Sequence, residues 1–189
     1  ADLNVKVDSG ISKKAVTVSA ASLENQYPDE KRLLNALENS ALEVRLEALR
    51  SLPKAVRDKK AKGLVTAVIS EHKVLAVEPG DRTHELYGIA VDIGTTSVVV
   101  ALMDLLSGDT LGIASASNPQ ATFGADVIAR IDHVIQNPDG LEQLNRRVIQ
   151  VINRLTAKLA KENQISPQAI YQMTVVGNTT MSHLFLKAD

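Results

Sequence analysis

Residues 86–109 read LYGIAVDIGTTSVVVALMDLLSGD, and the interpretation of this stretch decides the fold. Two runs rich in β-branched and aliphatic residues, 88–93 and 97–105, are separated only by Gly94, Thr95 and Thr96. A tight β-hairpin is the economical arrangement for such a pattern. In that hairpin Gly94 is expected to supply a positive φ, and the two threonines tolerate the turn. Asp92 stands apart, because it falls at the end of a strand between Val91 and Ile93. An unpaired carboxylate there would be costly to bury, so the position calls for a cation.

Working outward, Ser107, Gly108 and Asp109 turn the chain into a third strand, 110–116, and a β-meander results. Two amphipathic helices follow. Val127, Ile128, Ile131, Val134 and Ile135 form one apolar stripe, and Leu141, Leu144, Val148, Val151, Ile152, Leu155 and Leu159 form a second, with NPDG (137–140) as the break between them. After Ser166-Pro167, residues 170–176 read as a buried strand that runs into GNTTM, 177–181. If the helical segment is a right-handed crossover, this strand lies parallel to 88–93. The ends DIGTT and GNTT then face one crevice where the strand order reverses, which is where open α/β sheets bind ligands. Backbone N–H groups and hydroxyls without bulky neighbours suit phosphate oxygens, and Asp92 could hold Mg2+ directly or through water. The alternative for the same residues is a hairpin with a structural role only.

The preceding stretch, 1–85, reads as a separate small α+β domain. Strand-like alternation occurs at 5–7 and 15–19. Pro28 suits a helical first turn, and Leu34, Leu37, Ala41, Val44 and Ala48 recur at spacings that line one helical face. Ser40 and Glu43 match a capping box, so a break near Asn39 is expected to divide two helices. A hairpin follows at 64–70 and 73–77, and the Pro-Gly-containing stretch 78–85 serves as the connector to the second domain, 86–189.

Composition narrows the function classes. With 21 basic and 22 acidic residues and a formal net charge of -1, the chain has no electrostatic footprint for nucleic acid or for a membrane surface. No apolar run approaches the ~20 residues that span a bilayer, and the sequence ADLNVKVDSG has no basic region followed by an apolar one, so a cytoplasmic location is expected. The absence of cysteine removes disulfides, thiolate nucleophiles and cysteine-ligated iron-sulfur clusters. His72, His84, His133 and His183 show no metal-ligand spacing. Asp126 and Arg130, four residues apart on the first of the two helices, read most simply as a solvated ion pair. Asn178, Thr179 and Thr180 read as caps for a helix starting near Met181, whose N-terminus would favour an anion. His183, with no nucleophile or orienting partner in view, reads as a packing or surface residue.

These residues also carry a resemblance. VDIGTTSVVVALMDLLSGD resembles the first phosphate loop of the actin, Hsp70 and sugar-kinase superfamily. More narrowly, EPGD, LYGIAVDIGTTSVVVALMDLLSGDTL, ASASNPQ, FGADVIARI and VVGNTTMSHLFL resemble the ferredoxin-associated, ATP-dependent reductive activators of corrinoid proteins, from about residue 60 to the end. The resemblance implies a middle α+β domain at 1–85 and the first subdomain of an actin-like (ribonuclease H-like) ATPase fold at 86–189. It implies ATP and Mg2+ as cofactors, with Asp92 as catalytic carboxylate and metal ligand. Gly94, Thr95, Thr96, Asn178, Thr179 and Thr180 would face the phosphates, and Gly124 and Asp126 would lie beside the cleft or at a partner surface. The implied partners are a corrinoid protein serving methyl transfer and an electron-donating iron-sulfur module, with ATP helping to return cobalt from Co(II) to Co(I). Two departures stand out: there are no cluster ligands, and neither a second phosphate loop nor an adenosine-binding segment is present. A fragment, inactive by itself, is therefore expected, and apolar surface left open by such a truncation would favour a homodimer. A small-molecule kinase of the same superfamily and a non-catalytic interaction module are the competing functions.

Overall fold

A computed structural model describes residues 8–23 and 25–188. The strand expected at 5–7 lies outside the described residues. The chain divides into two compact units, the first ending at Leu86 and the second beginning at Tyr87.

In the first unit a four-stranded mixed sheet, of order β1-β3-β4-β2, is built from β1 (Ile11–Thr17), β2 (Glu43–Val44), β3 (Leu64–Ser70) and β4 (Lys73–Pro79). The helices α1 (Asp29–Leu37) and α2 (Leu46–Val56) contribute Leu33, Leu37, Ala48, Leu52 and Ala55 to a core shared with Val16, Val65, Ala67, Val74 and Val77. The break near Asn39 is present, with Glu38 in the left-handed region closing α1. The capping box is not. Glu43 and Val44 instead pair in parallel with Lys73 and Val74, and the N–H groups of Glu43 and Arg45 donate to the carbonyls of His72 and Val74. Cross-chain pairing takes the backbone that local capping would have used, and α2 begins at Leu46 without a side-chain cap. Ala41 is exposed and Val44 is buried in β2, so the single helical face read from the sequence is split between three elements.

The second unit carries the mixed sheet β7-β6-β5-β8. Strands β5 (Tyr87–Ile93), β6 (Ser97–Asp104) and β7 (Thr110–Ser117) form the antiparallel meander, and β8 (Ile170–Gly177) pairs in parallel with β5. Alternation decides what each strand buries. Ile89, Val91, Ile93, Val98, Val100 and Leu102 point to one face, which α4 (Gly140–Glu162) covers with Leu144, Val148, Val151, Ile152, Leu155 and Leu159. Ala90, Asp92, Ile113, Thr174 and Val176 point to the opposite face and are exposed. The helix α3 (Val127–Gln136) departs from expectation: Ile128 and Ile135 are 73% and 76% exposed, and Ile131 is also exposed. Among the described residues, the stripe meets the core at Val134. A final short helix, α5 (Thr179–Leu186), follows β8 directly.

Candidate phosphate-binding site

The parallel register of β5 and β8 pairs Ile93 with Gly177. The turn 94–96 and the N-terminus of α5 therefore emerge side by side. Asn178 Nδ2 donates to Thr95 Oγ1 at 3.3 Å, while Asn178 Oδ1 caps α5 by accepting from the Met181 N–H at 2.9 Å. Thr179, the first helical residue, is exposed, Thr180 is half-buried, and Thr96 is exposed beside them. The residues expected to line one crevice are thus neighbours in space.

Gly94 has a different reason for being glycine from the one expected. It does not adopt a positive φ, which among the described glycines belongs to Gly10, Gly63, Gly80 and Gly108. The turn is instead so tight that a Cβ at Gly94 would lie 2.9 Å from the Ser97 carbonyl oxygen, the group that accepts the Gly94 N–H. Asp92 also corrects its expectation. Its carboxylate sits on the uncovered face of the sheet, exposed to water, near Ala90, Val99, Thr174 and Val176. Burial therefore imposes no demand for a cation, and the side chain is free to take one up.

The interior side of the turn carries an arrangement absent from the sequence reading. Asn118 is buried at the end of β7; its Nδ2 donates to the Gly94 carbonyl at 2.8 Å, and its backbone N–H donates to the Thr96 carbonyl at 2.8 Å. Between these two bonds, Arg130 Nη2 donates to the Thr95 carbonyl at 2.6 Å. Arg130 was expected on a polar surface, paired with Asp126. It is fully buried, at 0% exposure. Its Nε donates to the Gly124 carbonyl at 3.0 Å, and its Nη1 donates to Gln120 Oε1 at 3.2 Å and lies 3.2 Å from Met181 Sδ. Gln120, also fully buried, anchors this group to α4 through the Leu144 carbonyl. Burial holds the Arg130 pKa below its ordinary value, with the Asp126 carboxylate opposing the shift. Guanidinium nevertheless stays protonated in proteins.

Gly124 and Asp126 serve this interior network and the helix it rests on. A Cβ at Gly124 would come within 2.6 Å of the backbone nitrogen of Arg130, so glycine is what allows the segment after the 3₁₀ turn Pro119–Thr122 to lie against α3. Asp126 is the exposed N-cap of α3 and accepts from the Ala129 N–H at 2.8 Å. His183 lines an apolar cleft of about 330 Å³ with Ile131, Ile135, Leu184 and the two threonines of α5. Among the described residues no three His, Cys, Asp or Glu side chains gather as a metal cluster, and no helix is long and apolar enough to cross a membrane.

A mixed sheet with a helix N-terminus and a hydroxyl-bearing turn side by side at its strand ends defines an α/β protein. The chain belongs to the RACo family: the RACo middle region matches residues 87–189, and the RACo linker region matches 1–84. In the family's own terms, then, "middle" denotes the second unit, and the stretch 1–85 that was expected to be a middle domain falls on the linker region. The corrinoid activation enzyme RamQ of Eubacterium limosum is 37% identical over 123 residues, 65% of this chain and 21% of the relative. The solved structure of a reductive activator for corrinoid, iron-sulfur protein superposes with a TM-score of 0.78 at 38% identity, over 98% of this chain and 30% of the solved one. The chain thus spans less than a third of the relatives it matches.

Proposed function

We propose that this chain is part of an ATP-dependent activator that supports reduction of a corrinoid cofactor on a partner protein from Co(II) to Co(I). Its second unit would be the first subdomain of an actin-like ATPase domain, and its part would be to hold nucleotide phosphates. The observation that carries this reading is the turn 94–96, pinned from the interior by all three of its carbonyls and set beside the N-terminus of α5. In a trans peptide the N–H points opposite to the preceding C=O. Inward carbonyls on Gly94 and Thr95 therefore turn the N–H groups of Thr95 and Thr96 outward, and the α5 N-terminus adds a positive dipole end. The Thr95, Thr96, Thr179 and Thr180 hydroxyls complete a lining suited to phosphate oxygens.

Asp92 fits Mg2+ as an exposed carboxylate at the C-terminal end of β5, with the remaining ligands drawn from phosphate and water. Bound there, Mg2+ would neutralise charge on the transferring phosphoryl group. With no cysteine in the chain, the electron would come from an iron-sulfur module carried outside these residues. The relatives named for corrinoid activation support the partner class. The test is calorimetric MgATP binding to the protein at its full encoded length, paired with a spectroscopic Co(II) to Co(I) assay on the corrinoid partner. Saturable binding and ATP-dependent appearance of Co(I) are expected. Reduction at an equal rate without ATP would overturn the reading.

A further inference from the structure

We propose that Arg130 is the positioning residue of the phosphate site: its buried guanidinium fixes the outward set of the Thr95 and Thr96 N–H groups and supplies a permanent positive charge directly behind them. The inference rests on the reading of turn 94–96 as a phosphate site, and it goes beyond the residues that line the crevice.

The buried charge is the feature in need of explanation. Removing a guanidinium from water costs several kcal/mol unless an anion accompanies it. Asp126, one helical turn away, acts on Arg130 through space but is committed to capping the Ala129 N–H. The hydrogen-bond partners of the guanidinium are neutral: the carbonyls of Thr95 and Gly124, the amide oxygen of Gln120 and the thioether of Met181. Neutral partners satisfy the N–H groups, and the Asp126 carboxylate, which does not touch the guanidinium, offsets its charge only in part. Out of contact with water, such a charge is screened less than at the surface, and the turn it supports leads directly to the exposed Thr96. An anion held by the outward N–H groups would compensate it.

The shape of the group also matters. Three donors of one planar fork reach three acceptors: Thr95 in the turn, Gln120 in the 3₁₀ segment and Gly124 in the link to α3. The single ammonium of lysine cannot reproduce that planar fork. Met181 brings the first turn of α5 against the same guanidinium, so both walls of the crevice are referenced to Arg130.

The experiment compares wild type, Arg130→Met, Arg130→Lys and Gln120→Glu in the protein at its full encoded length. MgATP affinity is measured by calorimetry at low and high salt, and folding by thermal melting. Arg130→Met removes the charge and is expected to weaken MgATP binding by about tenfold or more in the folded protein. Arg130→Lys keeps the charge without the fork and should fall between Arg130→Met and wild type. Gln120→Glu places a carboxylate against Nη1 and cancels the charge with the guanidinium still present. It should also weaken binding about tenfold, and the wild-type salt dependence should flatten. Gln120→Glu decides the matter if Arg130→Met does not fold. A role confined to stability would lower melting temperatures and leave the affinity of folded protein unchanged, and that outcome overturns the inference alone. Wild-type protein that fails to bind MgATP would overturn the phosphate reading and the inference with it.

Discussion

Two of the β-hairpins, β3–β4 and β5–β6, have turns that differ in what stands behind them. The turn between β3 and β4 consists of Glu71 and His72, both exposed, with Glu71 in the left-handed region at φ 51. From outside the hairpin, the Glu43 N–H donates to the His72 carbonyl. The turn between β5 and β6 has three consecutive carbonyls taken by the side chain and backbone N–H of Asn118 and by the guanidinium of Arg130, both residues buried. A reversal of chain direction needs only the first kind of turn. The second kind fixes which way the peptide planes face, which is the property the proposed phosphate site depends on. Substitutions that distinguish the two turns therefore test the site itself.

The largest effect is expected from Asp92→Asn. The change is nearly isosteric at an exposed position, so melting should be unaffected. ATP turnover by the full-length protein should fall by about 100-fold or more through loss of the metal-holding charge. A variant with wild-type turnover would remove the metal role from this carboxylate. Next is Gly94→Ala, where the added methyl meets the Ser97 carbonyl oxygen at 2.9 Å. Opening the turn to admit it should lower stability by about 1–3 kcal/mol and weaken MgATP binding, read by denaturant melts and calorimetry. Full stability would mean that the turn is looser than its bonds imply.

Much of this architecture is legible in the sequence, and particular residues explain where the reading stops. The meander and the parallel return strand follow from β-branched runs bounded by turn residues, which is a local signal. Arg130 was misread because its spacing from Asp126 fits a surface pair, although it also shares a helical edge with Val127 and Val134, the edge of α3 nearest the core. That placement, with the polar Asn118 and Gln120 just upstream, was the available signal. Ile128, Ile131 and Ile135 were misread for the converse reason: periodicity reports that a face is apolar and is silent about what covers it. Glu43 shows a third limit, because a capping pattern loses to strand pairing that only the folded chain supplies.

A smaller effect is expected at Thr95, whose Oγ1 accepts from Asn178 Nδ2 and links the two walls. Thr95→Val keeps the volume and the β-branch but removes the hydroxyl. MgATP affinity should drop by about 1 kcal/mol, roughly fivefold, with a small change in stability. Unchanged affinity would leave the backbone N–H groups as the sole donors on that wall.

The smallest effect belongs to the other hairpin. At φ 51 the Cβ of Glu71 crowds its own backbone, a penalty of about 1 kcal/mol for an L-residue in the left-handed region. Glu71→Gly removes the crowding but also loosens the unfolded chain, and the entropy given back cancels part of the gain. A net stabilisation of about 0.5 kcal/mol is expected in equilibrium unfolding, with MgATP affinity and ATP turnover unchanged. The sign is the discriminating quantity, because a glycine is tolerated at Glu71 for its backbone freedom, whereas at Gly94 glycine is required for want of space. Destabilisation by Glu71→Gly would show that the first turn is also held by contacts of its side chain, and a shift in nucleotide affinity would tie it to the phosphate site.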